Sequence, residues 1–266
     1  MDKIIDKFPK GVLHALIAEK KFSLTRLQPS AEIGYFVQHY WIVRWDLRGQ
    51  APYSQVVIAH PNVNIVFEKE ASGVFGVAKT TSSHLLKEQG WVFGIKFKPG
   101  GFYPFLKAPV STLTGSVIGL EEVFGIDTDQ LETEILSQPD DAAIMRRAEQ
   151  FLTAHLPERD PNTALIADIV QMIQQDRTIL RVEDVVSTSG MNKRTMQRMF
   201  DRYVGVSPKS VIQRYRLHEA AERMDQGTAG DWLDLSIALG YYDHSHFIRD
   251  FRSIVGVSPE EYRQCK

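Results

Sequence analysis

Phe200–Pro208 reads FDRYVGVSP and Phe251–Pro259 reads FRSIVGVSP: one nine-residue pattern, Phe-x-x-x-Val-Gly-Val-Ser-Pro, repeated at an offset of 51. The likeness runs upstream, where Arg198 matches Arg249 and Met196 matches Phe247. Further back the offset drops to 50, so that Gly190 aligns with Gly240, Val185 with Leu235 and Val182 with Trp232. A chain that carries one short module twice suits a ligand with its own repeat, and double-stranded DNA is such a ligand.

Turn and cap chemistry converts the repeat into elements. Glycine just past an apolar run stops a helix, because it takes a left-handed backbone without a Cβ clash. Gly190 and Gly240 therefore close two short helices, Val182–Ser189 and Trp232–Leu239. An Asn or Asp side chain accepts from the unpaired N–H groups that open a helix. One helix accordingly starts at Asn192 and another at Asp243. Ser207-Pro208 opens a long helix to about Asp225, and Ser258-Pro259 a terminal one. Asn162 is the expected cap of an earlier helix that runs through about Gln175.

Short helix, turn, second helix is a helix-turn-helix arrangement, whose second helix enters the major groove N-terminal end first. In the first copy Met196, Met199, Phe200 and Tyr203 share a core face, which leaves Lys193, Arg194, Gln197 and Arg198 outward. Arginine and lysine donate to guanine, and glutamine pairs with adenine in two places. In the second copy Phe247 and Phe251 form the core pair, and His244, Ser245, Ile248 and Arg249 take the groove-facing places. Ile248 has only a thymine methyl to touch, so the second helix is the weaker reader. Residues 191–216 hold seven basic side chains against one acid, Asp201. Arg202, Lys209 and Arg214 complete the expected DNA-binding set, the last two as phosphate contacts.

The N-terminal half has a different texture. Tyr35–Leu47, Gln55–Ala59, Asn62–Glu68, Gly73–Ala78 and Trp91–Lys98 are aromatic or β-branched and alternate, which predicts strands. Phe102–Leu106 starts a short helix, and Gly11–Lys21 is open between helix and loop. Residues 127–139 are polar and acidic, as in the approach to a linker. Asp140-Asp141 then caps an amphipathic helix to about His155, and Pro157 and Pro161 mark a boundary. The fold class is therefore α+β: an antiparallel-β-rich mixed domain over 1–126, a linker and connecting helix over 127–159, and an all-α domain over 160–266 with two helix-turn-helix units joined by a long helix.

Composition excludes several classes. At 266 residues, 43% hydrophobic, 24% charged and net charge −2, the chain is an ordinary globular protein. No apolar run approaches the roughly 20 residues a membrane helix needs, so no membrane partner is expected. The opening MDKIIDKFPKG does not read as a signal peptide. The single cysteine, Cys265, permits no internal disulfide and no cysteine metal cluster, and a cytoplasmic setting is expected.

Residues 160–266 resemble the AraC/XylS family of bacterial transcription regulators. The run Asn-x-Arg-x-Met-x-Arg-x-Phe at 192–200 resembles the family's first recognition helix, with Asn192 where serine is more usual. Arg216-Leu217-x-x-Ala220-Ala221 resembles the connecting helix. LSIALGYYDHSHFIRDF at 235–251, followed by Gly256-Val257-Ser258-Pro259-x-x-Tyr262-Arg263, resembles the family signature. The resemblance implies a promoter-DNA partner and activation or repression through RNA polymerase contact or promoter occlusion. YFVQHYWIVRW, the His60-Pro61 segment and GIKFKPGGFYPFL resemble an uncharacterised domain found ahead of some AraC-type regions. By position that domain binds a small effector, forms a homodimer, or both. The chain lacks the His-x-His and distant glutamate of metal-binding cupins, so no metal and no cofactor is expected.

Within the first domain, Trp41, Trp45, Trp91 and Phe93 are more often core than pocket, but an aromatic-lined cleft is the usual form of a small-molecule site. With His60 they are the candidate effector contacts. His244 and His246 diverge at i, i+2 on a helix, which argues against a metal pair. Arg44 and Arg48 suit a phosphate-rich effector but are unspecific as a pair. No nucleophile-base series, phosphate loop or carboxylate pair stands out, so the expected function is not enzymatic.

Overall fold

A computed structural model describes residues 13 and 15–264. Cys265 and the opening MDKIIDKFPKG lie outside the described residues. After a short helix α1 (Ala15–Ala18) comes an antiparallel sheet of six strands, in the order β1 (Ser23–Leu27), β2 (Val37–Asp46), β7 (Gln89–Phe97), β4 (Asn64–Phe67), β5 (Gly73–Phe75) and β8 (Val117–Ile118). A separate antiparallel pair, β3 (Tyr53–Val57) and β6 (Ser82–Leu86), lies outside that sheet. The long β2–β7 ladder pairs Tyr40 with Ile95 and Ile42 with Phe93, so their side chains emerge on one face. That face is the core: Tyr40, Ile65, Phe67, Phe93, Ile95 and Phe97 are all fully buried. Burial of each such side chain contributes roughly 1.5–3 kcal/mol before ordering costs.

Helices α2 (Tyr103–Leu106), α3 (Glu121–Phe124), α4 (Thr128–Leu136) and α5 (Asp141–Ala154) cover this face. Here the structure corrects the expected linker over 127–159. Asp127 caps α4 by accepting from the Gln130 N–H, and Leu131 and Ile135, four residues apart, are 1% and 0% exposed. Ile144, Ala148, Phe151 and Leu152 of α5 enter the same core. Two apolar residues at helical spacing outweigh an acidic exterior, because a helix needs only one buried stripe.

The C-terminal part is all-helical: α6 (Pro161–Gln175), α7 (Val182–Ser189), α8 (Lys193–Met199), α9 (Pro208–Asp225), α10 (Trp232–Ala238), α11 (His244–Val255) and α12 (Pro259–Gln264). A π-helical stretch, Phe200–Val204, continues α8. Asp160, not Asn162, caps α6, with Pro161 in its first turn. The other caps fall where expected: Asn192 accepts from Thr195 N–H, Ser207 from Ser210 N–H and Asp243 from Ser245 N–H. Gly190 and Gly240 have φ of 68° and 83°. One core joins α6, α7 and α8 to the first half of α9 through Ile166, Val185, Met196, Phe200 and Val211. A second joins the rest of α9 to α10, α11 and α12 through Leu217, Leu235, Phe247, Phe251 and Tyr262. The first domain reaches both: Tyr103 packs on the first, and Leu13 and Ile58 belong to the second. Among the described residues no helix is long and apolar enough to cross a membrane.

Candidate nucleic-acid interface

The unit α7–α8 presents Lys193, Arg194, Gln197 and Arg198 exposed on the outer face of α8, while Met196 and Phe200 are fully buried beneath them. The apolar 3-4 spacing fixes the rotation of the helix, and the rotation turns these four polar side chains outward. Lys193 is ion-paired to Glu183 of α7 at 2.7 Å, and that contact holds the Glu183 carboxyl below its usual range. Both groups are exposed, so the pair is weak and a phosphate can displace it.

In α10–α11, Ser245 and Arg249 are exposed and Ile248 is partly so. His244 turns inward: Ser236 Oγ and His244 Nδ1 share a hydrogen bond of 2.7 Å, and the ring packs edge-on to Trp232. His246 lies 3.4 Å from Asp250 on the same helix. Asp250, an unwelcome neighbour for phosphate, is half-buried and accepts from Gln213 Nε2 at 2.8 Å. The two imidazoles thus have separate partners, and among the described residues no three His, Cys, Asp or Glu converge as a metal site.

Three members of the basic run are engaged within the protein. Arg214 is 2% exposed and donates from Nη2 to Ala78 O at 2.6 Å and Lys79 O at 3.3 Å, and from Nη1 to Ala59 O at 3.3 Å. It bridges α9 to the first domain, which corrects its reading as a phosphate contact. Arg202 is exposed but donates to Tyr103 OH at 2.5 Å and lies over that ring. It also belongs to the domain junction. Arg216 is 6% exposed, donates to Ile179 O and pairs with Glu219. Helical spacing says which side of α9 is apolar, but carbonyls of another domain attract guanidinium as phosphate does. Lys209, in the first turn of α9, remains exposed.

Between the two units lies a groove of about 720 Å³, lined by Lys193, Lys209, Arg181, Arg249 and Tyr242 among others. Arg181 and Tyr242 are functional candidates that sequence reasoning missed. Tyr242 is 93% exposed, and Arg181 Nη2 donates to its hydroxyl at 3.2 Å across the groove. The signal was the change of offset. Gly190 precedes its cap Asn192 by two residues, whereas Gly240 precedes Asp243 by three. Tyr242 sits in that longer turn.

The candidate effector residues of the first domain do not form one pocket. Register pairs Trp41 with Gly94 and Arg44 with Trp91, so Trp41 and Trp91 point to opposite faces of the sheet. Phe93 is 0% exposed and stacked between Tyr40 and Phe67: it is core. Trp91 lies under Arg44, which is itself paired to Asp141 at 2.5 Å. On the other face Trp45 donates to Lys87 O at 3.0 Å, and Trp41 covers Gly94 and donates to Asn64 Oδ1. Arg48 pairs with Asp46 rather than with Arg44's neighbourhood. His60 stands apart, at the domain junction, with its ring 4.4 Å from that of His218.

Known proteins align with both halves. Residues 186–264 match the model of a helix-turn-helix domain, and residues 25–119 match a domain of unknown function (DUF6597). The Transposon Tn10 TetD protein of Escherichia coli is 30% identical over 111 residues, 41% of this chain and 79% of that protein. The transcriptional activator AarP of Providencia stuartii is 29% identical over 38% of this chain and 75% of its own length. An uncharacterised helix-turn-helix regulator of Haemophilus influenzae is 28% identical over 44% of this chain, but the match spans only 37% of its length. Among solved structures, ToxT of Vibrio cholerae superposes at a TM-score of 0.39 with 14% identity, over 92% of this chain and 98% of ToxT.

Proposed function

Because the chain belongs to the AraC/XylS family of helix-turn-helix transcription regulators, we propose that it reads two successive major-groove segments of promoter DNA with α8 and α11. The carrying observation is that Lys193, Arg194, Gln197 and Arg198 stand exposed on a helix locked from behind by Met196 and Phe200. Those side chains are suited to guanine and adenine edges. Ser245, Ile248 and Arg249 take the second segment, with His244 orienting α11 rather than reading. Lys209, Arg181 and Tyr242 line the groove between the units and engage the backbone of the intervening DNA. The family is one of regulators, not enzymes. Its action here is contact with RNA polymerase or occlusion of a promoter, and control by a small effector or by self-association falls to the first domain.

Selection of the full chain on randomised duplex DNA, sequenced at two salt concentrations, tests this. The expected pool carries two base clusters about one helical turn, roughly 10 base pairs, apart. A single cluster means that α11 grips backbone without reading. Salt-sensitive retention with no enriched motif, with and without added anions, refutes sequence-specific recognition.

A further inference from the structure

The sequence repeat is broken at one flank of the two exposed helices. At the offset of 51 that pairs Arg198 with Arg249, Met199 of α8 is matched by Asp250 of α11. Met199 packs against the first helical core. A carboxylate cannot pack in that way, and Asp250 is hydrogen-bonded instead. Its Oδ2 accepts from Gln213 Nε2 of α9 at 2.8 Å and from the Tyr241 hydroxyl, in the turn before α11, at 3.3 Å. His246 Nε2, one turn earlier on α11, lies 3.4 Å from the same oxygen, and its ring meets that of Tyr241 edge-on at 5.6 Å. The Asp250 side chain is 17% exposed. Gln213, Tyr241 and His246 line the groove between the two units.

An acid so close to a groove lined by Arg181, Lys209 and Arg249 weakens the attraction of that groove for phosphate, so it does not serve DNA contact. Its place on the helix gives it another use. Successive residues of an α-helix are about 100° apart. Phe247 and Phe251 form the buried stripe of α11, Ser245 and Arg249 lie on the exposed side, and His246 and Asp250 fall between the two. Apolar packing is non-directional, so the two rings fix which side is buried but leave the helix free to roll slightly. Hydrogen bonds weaken as their length and angle drift, and those to a charged acceptor are the stronger ones. A carboxylate held from α9 and from the preceding turn therefore removes that freedom. In α8 the apolar Met199 occupies the same flank and packs.

We propose that Asp250 is a positioning residue for DNA recognition: it sets the roll of α11 through Gln213 and Tyr241, and so aims Ser245, Ile248 and Arg249. The assignment rests on the reading that α11 contacts a second base cluster. Asp250 itself touches no base. Its charge opposes phosphate on every sequence alike, whereas the alignment it provides acts only on the matching sequence.

Fluorescence anisotropy of the full chain with three duplexes tests this: the selected motif, the motif with its first cluster scrambled, and the motif with its second cluster scrambled. In Gln213→Met and in Asp250→Ala, the preference for the intact motif over the second-scrambled duplex is expected to fall about tenfold, the scale of one hydrogen bond to a charged group. The preference over the first-scrambled duplex is expected to stay. The double variant should lose no more than Asp250→Ala alone, because both changes remove one shared contact. A purely electrostatic role for Asp250 predicts otherwise: no effect of Gln213→Met, which changes no charge, and a uniform gain in affinity for all three duplexes in Asp250→Ala. That pattern overturns the proposal, and so does equal weakening at both clusters, the mark of a loosened fold. If Asp250→Ala does not fold, Gln213→Met carries the test alone, with undiminished discrimination as the refuting result. A wild-type pool with no second cluster removes α11 as a reader and this proposal with it. A second cluster that both variants read undiminished removes only the positioning role of Asp250.

Discussion

Arg214→Ala separates two physical pictures of the same side chain. As a phosphate contact, Arg214 would contribute nothing to folding. Its loss would weaken binding to every DNA alike and reduce the dependence of log affinity on log salt by about one. In the structure its guanidinium instead serves carbonyls of Ala59, Ala78 and Lys79 from a position 2% exposed. Hydrogen bonds that involve a charged group are worth about 1.5–3 kcal/mol each, and truncation of one partner in a buried charged network costs about 3–5 kcal/mol in all. Burial lowers the Arg214 pKa, so part of that cost returns when the desolvated charge is removed. A net loss of about 3 kcal/mol is expected. For a chain of this size that lowers the melting temperature by about 6–12 °C. Thermal unfolding followed by far-ultraviolet circular dichroism reads the first quantity, and fluorescence anisotropy of labelled duplex at several salt concentrations reads the second. An unchanged melting temperature with a shallower salt dependence would refute the junction role.

Four further outcomes are expected. Arg198→Ala costs about 1–3 kcal/mol of DNA discrimination and relaxes base preference at one position, with no change in melting temperature; an unaltered selected motif counts against it. Tyr242→Ala lowers DNA affinity while leaving stability within about 0.5 kcal/mol, as a 93% exposed side chain should; undiminished affinity removes Tyr242 from the interface. Gly205→Ala destabilises by about 1–3 kcal/mol in chemical denaturation, because φ is 90° there and the new Cβ would lie 2.9 Å from Thr114 Oγ1 and 3.0 Å from Val110 O. Stability falls as pH drops below about 6.5, the unfolded histidine value, towards 4, since buried His39 and His218 resist protonation while the unfolded chain does not. Each contributes a slope of up to about 1.4 kcal/mol per pH unit, so His39→Gln should flatten the profile; an unchanged slope contradicts the assignment.

What was legible in the chain follows from what is local. Gly190, Asn192, Ser207, Gly240 and Asp243 act on backbone within four residues, and each does in the structure what its chemistry predicts. The outward face of α8 was legible for the same reason. What failed was long-range. Alternation places Trp41 with Trp45, and Trp91 with Phe93, but only strand register reveals that the two pairs lie on opposite faces. Arg202 and Arg214 look like DNA ligands until Tyr103 and the carbonyls near Ala59 and Ala78 are seen beside them. Leu131 and Ile135 are too few to stand out in an acidic stretch, yet they suffice to seat a helix.

Ile58 and Leu13 share one apolar cluster with Leu217, Phe247 and Phe251. The two parts of the chain are therefore not beads on a string. A chain cut near Asp160 would lose the cover over that end of α9 and expose an adhesive surface. Heating should melt the two parts in a single calorimetric transition, because they share that cluster. Under the proposed function, an event felt at the sheet would reach α8 and α11 as a shift in one shared equilibrium, with no relay of side chains between them.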